Sequence, residues 1–425
     1  MKIPFYEDGS RELKLKKKLM KGTDVRHLQQ NLKRLGIYRD KVDGIFGTAT
    51  KKAVISFQKT ASIVPSGVFD YKTYLILKKH IPDRFTEWPA HQRDPGHSGN
   101  TRINIEPTFF VRWQKPIDSN FEAISALGET LLAFGDKKIV AVNLYTGKNL
   151  WHKNFSDSVI SGTFMENGKA WFCRDREIVA FDIKNGKKAT RLSFESPCLC
   201  PPLIYRNQIY IAAEDCRIVC IDELNGQPVW EKKLKAAAHA QPAAAGDLII
   251  FGCSDKNLYA LNWKTGDIKW KKRLLAPVSI PPAAAGDNFY AIGGESRVYS
   301  IKLPDGDFLW KGRIGPGGYM TPCIDDDSLY LPDAENNLYC IDGKEGSIKW
   351  SVNIKQSITG PPVSVPKYVL LPTERGLYVV SKASGSIKWK GIETESIKNV
   401  ITAKFYIYVL TDDYIYSLGF KRHLH

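Results

Sequence analysis

Six segments of this chain decide its fold: TGKNLW (residues 146–151), NGQPVW (225–230), TGDIKW (265–270), DGDFLW (305–310), EGSIKW (345–350) and SGSIKW (384–389). A seventh, NGKKAT (185–190), keeps the glycine but has Thr190 where the others have tryptophan. Successive glycines of this series are 39 or 40 residues apart. A fixed period of about 40 residues with β-type patterning is typical of a β-propeller, in which each repeat forms one four-stranded sheet.

The residues around each glycine fit this interpretation. A short stretch of alternating apolar residues precedes it, as in IVAVNLY (139–145), and alternation indicates a strand with two different faces. The glycine permits the positive φ of a tight turn. The tryptophan supplies a large apolar body that can wedge between neighbouring sheets. Prolines that lie roughly 24 residues before these glycines predict the start of the innermost strand: Pro202, Pro242, Pro282, Pro322 and Pro361.

The series predicts eight blades. Its outer-strand positions are Trp113, Trp151, Thr190, Trp230, Trp270, Trp310, Trp350 and Trp389, and the seven tryptophans are the expected blade-docking residues. The chain ends in NVITAKFYIYVLTDDYIYSLGF (399–420), which contains only three strands of a blade. We expect the strand around Trp113 to supply the fourth, because pairing the two ends removes exposed sheet edges. The predicted fold is an all-β eight-bladed propeller closed by its N- and C-terminal strands.

The repeat resembles the tryptophan-docking motif of pyrroloquinoline-quinone (PQQ)-type propellers. The upstream segment EWPAHQRDPGHSG (87–99) is similar to the lead-in of PQQ-binding-like repeat proteins, and the resemblance covers about residues 86–420. That family includes quinone dehydrogenases and members without cofactor, such as outer-membrane assembly-factor propellers. The resemblance therefore implies the fold and leaves two functions open.

Several observations favour the function without a cofactor. The repeats lack long insertions that could build a substrate pocket, and the adjacent Cys-Cys pair typical of quinoprotein dehydrogenases is absent. The sequence contains no GxSxG, HExxH or phosphate-binding glycine motif. We interpret the acidic runs at 325–327 and 412–413 as solvated loops. We expect no catalytic residue, metal or bound quinone, and a PQQ- or Ca²⁺-dependent enzyme is the alternative.

The first 82 residues form a separate unit, followed by a linker and propeller lead-in (83–107) and the propeller (108–425). Leu28, Leu32 and Leu35 have helical spacing, and Gly36 ends that helix. A second helix follows in TATKKAVISFQKT (48–60), with Thr48 as the expected N-cap, and a third lies in DYKTYLILKKHI (70–81). These patterns predict a small all-α domain of three helices.

This unit is similar to the three-helix peptidoglycan-binding domain, on Leu28-Gln29, Asp43-Gly44-x-Phe46-Gly47-x-x-Thr50 and Phe57-Gln58. The resemblance spans about residues 22–79. It implies that Asp43, Phe46, Thr50 and Gln58 lie near a glycan ligand. The chain departs from the family pattern at Ser66 and Asp70, which replace an aspartate and a glycine. Turn and cap roles for Gly44, Gly47 and Thr50 are the structural alternative.

Charge and cysteine content limit the classes of partner and of site that the chain can have. The net charge is +16, and the run LKLKKKLMK (13–21) is either a solvated segment or an attraction site for an anionic polymer. Nucleic acid is not favoured, because no zinc-finger spacing or interleaved aromatic and basic strand occurs. The eight cysteines include no CxxC motif, and most sit at small buried positions of the repeat. Cys198 and Cys200, two residues apart in an extended stretch, point to opposite faces.

The sequence favours a non-enzymatic protein that binds peptidoglycan or a related anionic cell-wall polymer and presents its propeller face to a protein partner. Such a protein belongs in the cell envelope or outside the cell. However, residues 1–18 contain no apolar stretch that could act as a secretory signal, and no segment is long enough to span a membrane. A removed signal, unconventional export, or a structural role in a phage-tail-like or contractile injection assembly, including one in the cytoplasm, would each reconcile these observations.

Overall fold

The computed structural model describes the chain in two compact units, Met1–Arg84 and Phe85–His425. The residues that it describes are 14, 20–21, 25, 28–29, 32–33, 37–38, 40–41, 43–61, 63–70, 73, 76–77, 94, 97, 99–101, 103–117, 121–156, 163–223, 225–278, 280–285, 288–294, 297–317, 320–325, 328–393 and 395–420. Most of the basic run at 13–21 lies outside these residues, as do Leu35, Gly36 and most of the lead-in at 87–96.

The first unit is a small helical domain, as predicted. Its helix α1 spans Thr48–Thr60, and residues 25, 28, 29, 32, 33, 73, 76 and 77 are also helical. The prediction that the domain is purely helical is wrong in one respect, because β1 (Met20–Lys21) pairs with β2 (Ile45–Phe46) in an antiparallel ribbon. Met20 and Phe46 lie opposite each other and are both buried, so the ribbon places two further side chains in the core. The other buried apolar residues of this core are Val25, Leu28, Leu32, Tyr38, Ala53, Val54, Phe57, Phe69 and Leu77.

The predicted N-cap of α1 is also wrong. Gly47, in extended conformation, is the capping residue, and Thr48 is already the first helical residue. The carbonyl of Gly47 accepts the first helical hydrogen bond from the Lys51 N–H, and no side chain caps this end. The ribbon strand that ends at Phe46 leaves a single residue before the helix, and that residue carries no hydroxyl.

The second unit contains eight four-stranded antiparallel sheets within its described residues, which confirms the predicted eight blades. Blade 1 consists of β4 (Phe121–Leu127), β5 (Thr130–Gly135), β6 (Lys138–Asn143) and β7 (Asn149–Asn154). Blade 2 consists of β8 (Phe164–Glu166), β9 (Lys169–Arg174), β10 (Glu177–Asp182) and β11 (Lys188–Ser193). Blade 3 consists of β12 (Leu203–Tyr205), β13 (Gln208–Ala212), β14 (Arg217–Asp222) and β15 (Pro228–Lys233). Blade 4 consists of β16 (Ala243–Ala245), β17 (Leu248–Gly252), β18 (Asn257–Asn262) and β19 (Ile268–Arg273).

The remaining blades follow the same order. Blade 5 consists of β20 (Ala283–Ala285), β21 (Asn288–Gly293), β22 (Arg297–Lys302) and β23 (Phe308–Arg313). Blade 6 consists of β24 (Cys323–Ile324), β25 (Ser328–Pro332), β26 (Asn337–Asp342) and β27 (Ile348–Asn353). Blade 7 consists of β28 (Val363–Ser364), β29 (Tyr368–Thr373), β30 (Gly376–Ser381) and β31 (Ile387–Gly391). Blade 8 contains β32 (Ile397–Ala403), β33 (Tyr406–Thr411) and β34 (Tyr414–Phe420).

The fourth strand of blade 8 comes from the beginning of the propeller. Strand β3 (Phe109–Pro116) pairs antiparallel with β34, from Phe109 opposite Phe420 to Pro116 opposite Tyr414. This pairing confirms the predicted closure, in which the two ends of the unit complete one sheet. The marker prolines also lie where predicted, one or two residues before the first strands of blades 3 to 7.

The outermost strands carry the tryptophans, and each docks on the next blade. In six blades the indole Nε1–H donates to a main-chain carbonyl three residues before the next blade's glycine, over 2.7 to 3.3 Å. The donor and acceptor pairs are Trp113 and Leu144, Trp151 and Ile183, Trp230 and Trp263, Trp270 and Leu303, Trp310 and Gly343, and Trp350 and Lys382. The seventh, Trp389, packs edge-to-face on Phe109 of the closing strand at 4.7 Å.

The glycine of the turn is required by this docking. A Cβ built on Gly147, Gly186, Gly266, Gly306, Gly346 or Gly385 would lie 2.5 to 2.8 Å from an atom of the docked indole. All six also have positive φ, from 68° to 75°. The ring and the backbone conformation therefore exclude a side chain independently.

Blade 2 replaces the docking tryptophan by Thr190, and the sequence predicted a looser contact there. The structure fills the position differently. Leu192, two residues along the same strand, lies over the glycine of the next blade, where a Cβ on Gly226 would meet its methyl at 2.8 Å. Trp171, fully buried on β9, lies in the same row as Thr190, with Ala180 between them. Leu192 thus covers the glycine that an indole covers at six other boundaries, and Trp171 adds a large buried side chain on the inner side of the same row.

The glycine requirement can be tested by two matched substitutions. Gly306→Ala places a methyl 2.5 Å from the Trp270 ring, whereas Gly246→Ala meets no atom within 4 Å, although Gly246 also has positive φ. We expect Gly246→Ala to cost about 1 kcal/mol for the left-handed conformation, and Gly306→Ala to cost roughly 1–3 kcal/mol more because the blades must separate. Urea unfolding of the two variants and the parent protein measures the difference. Equal losses would contradict the docking interpretation.

Candidate functional site

The small domain contains a turn held by a buried glutamine. Gln29 is fully buried, and its Oε1 accepts the N–H of Gly44 at 2.8 Å. Its Nε2 lies 2.8 Å from Oδ1 of Asp43 and 3.0 Å from both the Ile45 carbonyl and Oγ1 of Thr50. Because both ends of the amide are engaged, the Asp43-Gly44 turn is fixed to the helix that carries Thr50.

A second turn repeats this arrangement. Oε1 of Gln58 accepts the N–H of Gly67 at 2.9 Å, and its Nε2 contacts Oγ of Ser66 at 3.2 Å and Oγ1 of Thr73 at 3.0 Å. Ser66 does here what Asp43 does in the first turn, since its oxygen accepts both the glutamine amide and a main-chain N–H two residues on. Its presence instead of aspartate thus preserves the turn.

The second departure from the family pattern also has a structural account. Oδ1 of Asp70 accepts the N–H of Thr73 at 2.8 Å and its hydroxyl at 2.6 Å, an N-capping geometry. The residue that replaces a glycine therefore stabilises the start of the helical segment that contains Thr73.

The four residues implied to lie near the glycan fall into two groups. Phe46, Thr50 and Gln58 are at most 1% exposed and belong to the core or to the two turns, so their effect on a ligand would act through the turns. Asp43 is exposed at the surface of the first turn. Gln29, which organises that turn, was not among the predicted site residues. The repeated pairs Leu28-Gln29 and Phe57-Gln58 were the available signal for it.

The small domain holds most of the net positive charge. Residues 1–84 contain 19 of the 61 lysines and arginines but only 8 of the 45 acidic residues. Lys33, Lys41, Lys52 and Lys59 are exposed on the described surface of this unit. The first fifth of the chain therefore attracts anions more strongly than the propeller does.

A segment of the chain that precedes the blades runs along the innermost strands of the propeller. The first strands of most successive blades contact one another, so they surround the axis. The described residues within 97–105, here called the axial segment, lie inside this ring. The Thr101 N–H donates to the Ser364 carbonyl, and the Ser364 N–H donates to the Gly99 carbonyl, both at 2.8 Å. Asn100 thereby forms a parallel bridge with Ser364, on the inner edge of β28.

The axial segment also reaches other blades. His97, fully buried, donates its Nδ1–H to the carbonyl of Pro282, directly before the first strand of blade 5. Ile103 and Ile105 are buried in a hydrophobic cluster with residues of blades 1, 7 and 8. The segment therefore runs from blade 5 to blade 7 along their first strands and then joins the core at the closure.

Ligands for a cation are not assembled in the described part of the chain. No group of three or more His, Cys, Asp or Glu side chains there is arranged to hold a metal ion. The two acidic runs are used in ion pairs instead. Asp325 pairs with Lys382 at 2.7 Å and Asp412 with Lys398 at 2.9 Å, whereas residues 326 and 327 lie outside the described residues. No described helix has the length and apolar character needed to cross a bilayer.

The repeats match a known protein family. Residues 135–352, about half of the chain, match the family model of the outer membrane protein assembly factor BamB. The chain belongs to the BamB family. Residues 21–77 match the model of a putative peptidoglycan binding domain, which agrees with the resemblance seen in the sequence.

A curated relative supports the second match. The spore cortex-lytic enzyme of Bacillus cereus is 36% identical over 87 residues, which are 20% of this chain and 34% of that enzyme. The chain thus spans about a third of the length of this relative.

Solved structures share the propeller fold. BamB from Moraxella catarrhalis has a TM-score of 0.63 at 18% identity, over 75% of this chain and 99% of that one. The quinohemoprotein alcohol dehydrogenase of Comamonas testosteroni has a TM-score of 0.70 at 12% identity, over 88% of this chain and 85% of that one. At these identities the similarity shows the fold alone, and it includes both a BamB and an oxidoreductase.

Burial of His97 on the axis predicts a pH-dependent stability. Desolvation lowers its pKa to about 4, although its hydrogen bond to Pro282 acts in the opposite direction. A histidine whose folded pKa is depressed contributes stability that is complete above its unfolded pKa near 6.5 and is lost as pH falls towards 4. We expect the propeller to lose about 3 kcal/mol more between pH 6.5 and 4 than a His97→Gln variant does.

Urea unfolding across this pH range measures the effect, with His152→Gln as a control because His152 is exposed on β7. The parent protein and the control should show the same slope, and His97→Gln a shallower one. Identical slopes for all three proteins would show that His97 is accessible to solvent.

Proposed function

We propose that this protein is a non-enzymatic cell-wall-binding protein, in which the small domain binds peptidoglycan and the propeller is a rigid scaffold for a protein partner. The observation that carries the proposal is the complete pair of glutamine-held turns in a domain that matches the peptidoglycan-binding model. Both departures from the family pattern, Ser66 and Asp70, preserve the local geometry.

Charge supports the wall-binding half of the proposal. Cell-wall polymers of bacteria are anionic, and the first unit is strongly basic. Long-range attraction would raise the local concentration of the polymer, and the exposed carboxylate of Asp43 offers a directional acceptor for glycan hydroxyls or amides. The two contributions differ in their response to salt. Salt screens the long-range attraction beyond a Debye length of about 8 Å at physiological ionic strength, whereas a direct hydrogen bond from the glycan to Asp43 is screened much less.

The propeller supports a scaffold role. Its blades are regular, and tryptophan contacts join most of them to the next, which favours a rigid body. BamB, whose family this chain joins, is named as an assembly factor for outer membrane proteins. An assembly factor acts on other proteins, and we therefore infer that the propeller surface binds a protein partner.

Two observations support a propeller without a quinone and its calcium ion. The axial segment takes up hydrogen-bonding groups on the inner edge of β28, where Gly99 and Thr101 bond to Ser364. The described residues also lack a convergent set of carboxylate ligands, which Ca²⁺ requires. We therefore propose that the propeller works without PQQ, and that the wall domain places the protein in the cell envelope.

Sedimentation of the full-length protein with purified peptidoglycan sacculi tests the wall-binding half. Asp43→Asn removes one negative charge but keeps Oδ1, which accepts the Gln29 amide and the Ile45 N–H. If Asp43 contacts the glycan, the variant should bind about tenfold more weakly, because one charge-assisted hydrogen bond to the glycan is lost. Attraction by charge alone predicts the opposite, since the domain becomes more basic.

Asp305→Asn provides the control, because it makes the same change of charge on an exposed propeller turn. We expect the parent protein and this control to pellet equally, and to remain bound at 0.5 M salt. Loss of all binding at high salt, or stronger binding of Asp43→Asn, would contradict the proposed site.

A further inference from the structure

Three cysteines meet at the boundary between blades 2 and 3. Cys173 is the penultimate residue of β9, and Cys198 and Cys200 lie in the connection that leads to β12. All three are free thiols, buried in one hydrophobic cluster. The Cys198 N–H donates to the Asp175 carbonyl at 2.7 Å, which holds the connection against the end of β9. The Cys198 main chain bridges to Ala213 of blade 3, and Cys198 and Cys200 are neighbouring groups that add to the effect of burial in raising the pKa of the Cys173 thiol.

Packing does not require sulfur at these positions. Forty residues later, the same places in the repeat are occupied by Ala213, Ala238 and Ala240, which are also buried. A methyl group is therefore sufficient to complete this part of a blade. In blade 2 the neighbouring positions 173 and 198 both hold cysteine, and the repeat itself does not explain this pair.

The pair lies where a crosslink would stabilise the propeller. This is the boundary where Thr190 replaces the docking tryptophan, so the indole-to-carbonyl hydrogen bond of the other boundaries is missing. A covalent link between β9 and the connection to blade 3 would hold the two blades together where the repeated contact is absent.

We propose that Cys173 and Cys198 are a disulfide-forming pair that closes when the chain folds in an oxidising environment. A thiolate of one cysteine attacks a glutathione-type disulfide, and the second thiolate displaces the glutathione sulfur from the mixed disulfide. One protein S–S bond forms, one glutathione S–S bond breaks, and the two protein thiol protons end on two glutathione thiols. We expect Cys200 to stay reduced. It cannot easily bond to Cys198, because residues two apart in this extended stretch are held too far from each other for a disulfide.

Burial sets when this reaction occurs. Desolvation raises the pKa of the Cys173 thiol, and it raises that of Cys200 to about 12, so thiolate is scarce once the blade has closed. Oxidation therefore belongs to folding or to transient opening, and the finished link is protected from reductants. A shared metal ion is not an alternative, since the described residues contain no such ligand group.

The test is to refold the full-length protein in a glutathione redox buffer, alkylate the remaining thiols and map the tryptic peptides. Trypsin releases Cys173 in peptide 170–174 and both other cysteines in peptide 192–206, so fragmentation of the second peptide assigns the partner. We expect a Cys173–Cys198 link with Cys200 alkylated. The oxidised protein should also melt several degrees above the reduced one, as expected for a crosslink that closes a loop of about 25 residues.

Alanine variants separate the crosslink from packing, because alanine is the residue of the next repeat. Cys173→Ala and Cys198→Ala should each abolish the difference in melting temperature between oxidised and reduced protein, while Cys200→Ala keeps it. The proposal would be overturned if Cys173, Cys198 and Cys200 all remain alkylatable after oxidative refolding, or if Cys200 takes part in the link.

Discussion

The packing of a tryptophan on the glycine of the next blade is the contact on which the propeller depends. In six blades it joins the outer strand to the next blade's last turn through one apolar surface and one hydrogen bond, as in Trp270 with Gly306 and the Leu303 carbonyl. The residue opposite the tryptophan on the neighbouring strand is small in several blades, as with Ala260 and Cys220, whereas blade 7 has Val379 there. The ring can then close with blades of nearly equal length, and β3 completes the last one.

Because of this contact, most of the propeller could be predicted from the sequence. Glycine and tryptophan have separate physical roles at fixed spacing, so their recurrence located the turns and outer strands, and Trp113 indicated the closure. Features without a repeat could not be predicted in this way. The axial segment has no periodicity, and Leu192 compensates for Thr190 through a contact between blades. In the small domain the family motif located the turns, but the hydrogen bonds of Gln29 depend on residues up to 21 positions away.

The two units differ in the kind of partner that their surfaces suit. In the first, two buried glutamines hold polar turns at the surface of a basic domain, an arrangement suited to a polar, anionic polymer. In the second, the axial segment bonds to the inner edge of β28, and we propose that function lies on the loops at either face and on the rim. The corrections to the sequence analysis, the β1–β2 ribbon and the Gly47 cap, both concern the path into α1 and leave this difference unchanged.

We propose that the axial segment is held inside the ring of first strands and that function lies on the outside of the ring. Hydrogen exchange of the full-length protein tests this most directly, through the main-chain amide of Thr101, which donates to Ser364 inside the ring. We expect protection comparable with that of the central strands of blade 7, since this amide is hydrogen-bonded to an inner strand of the propeller. Exchange at the rate of an exposed loop would contradict it and would reopen the axis to a ligand.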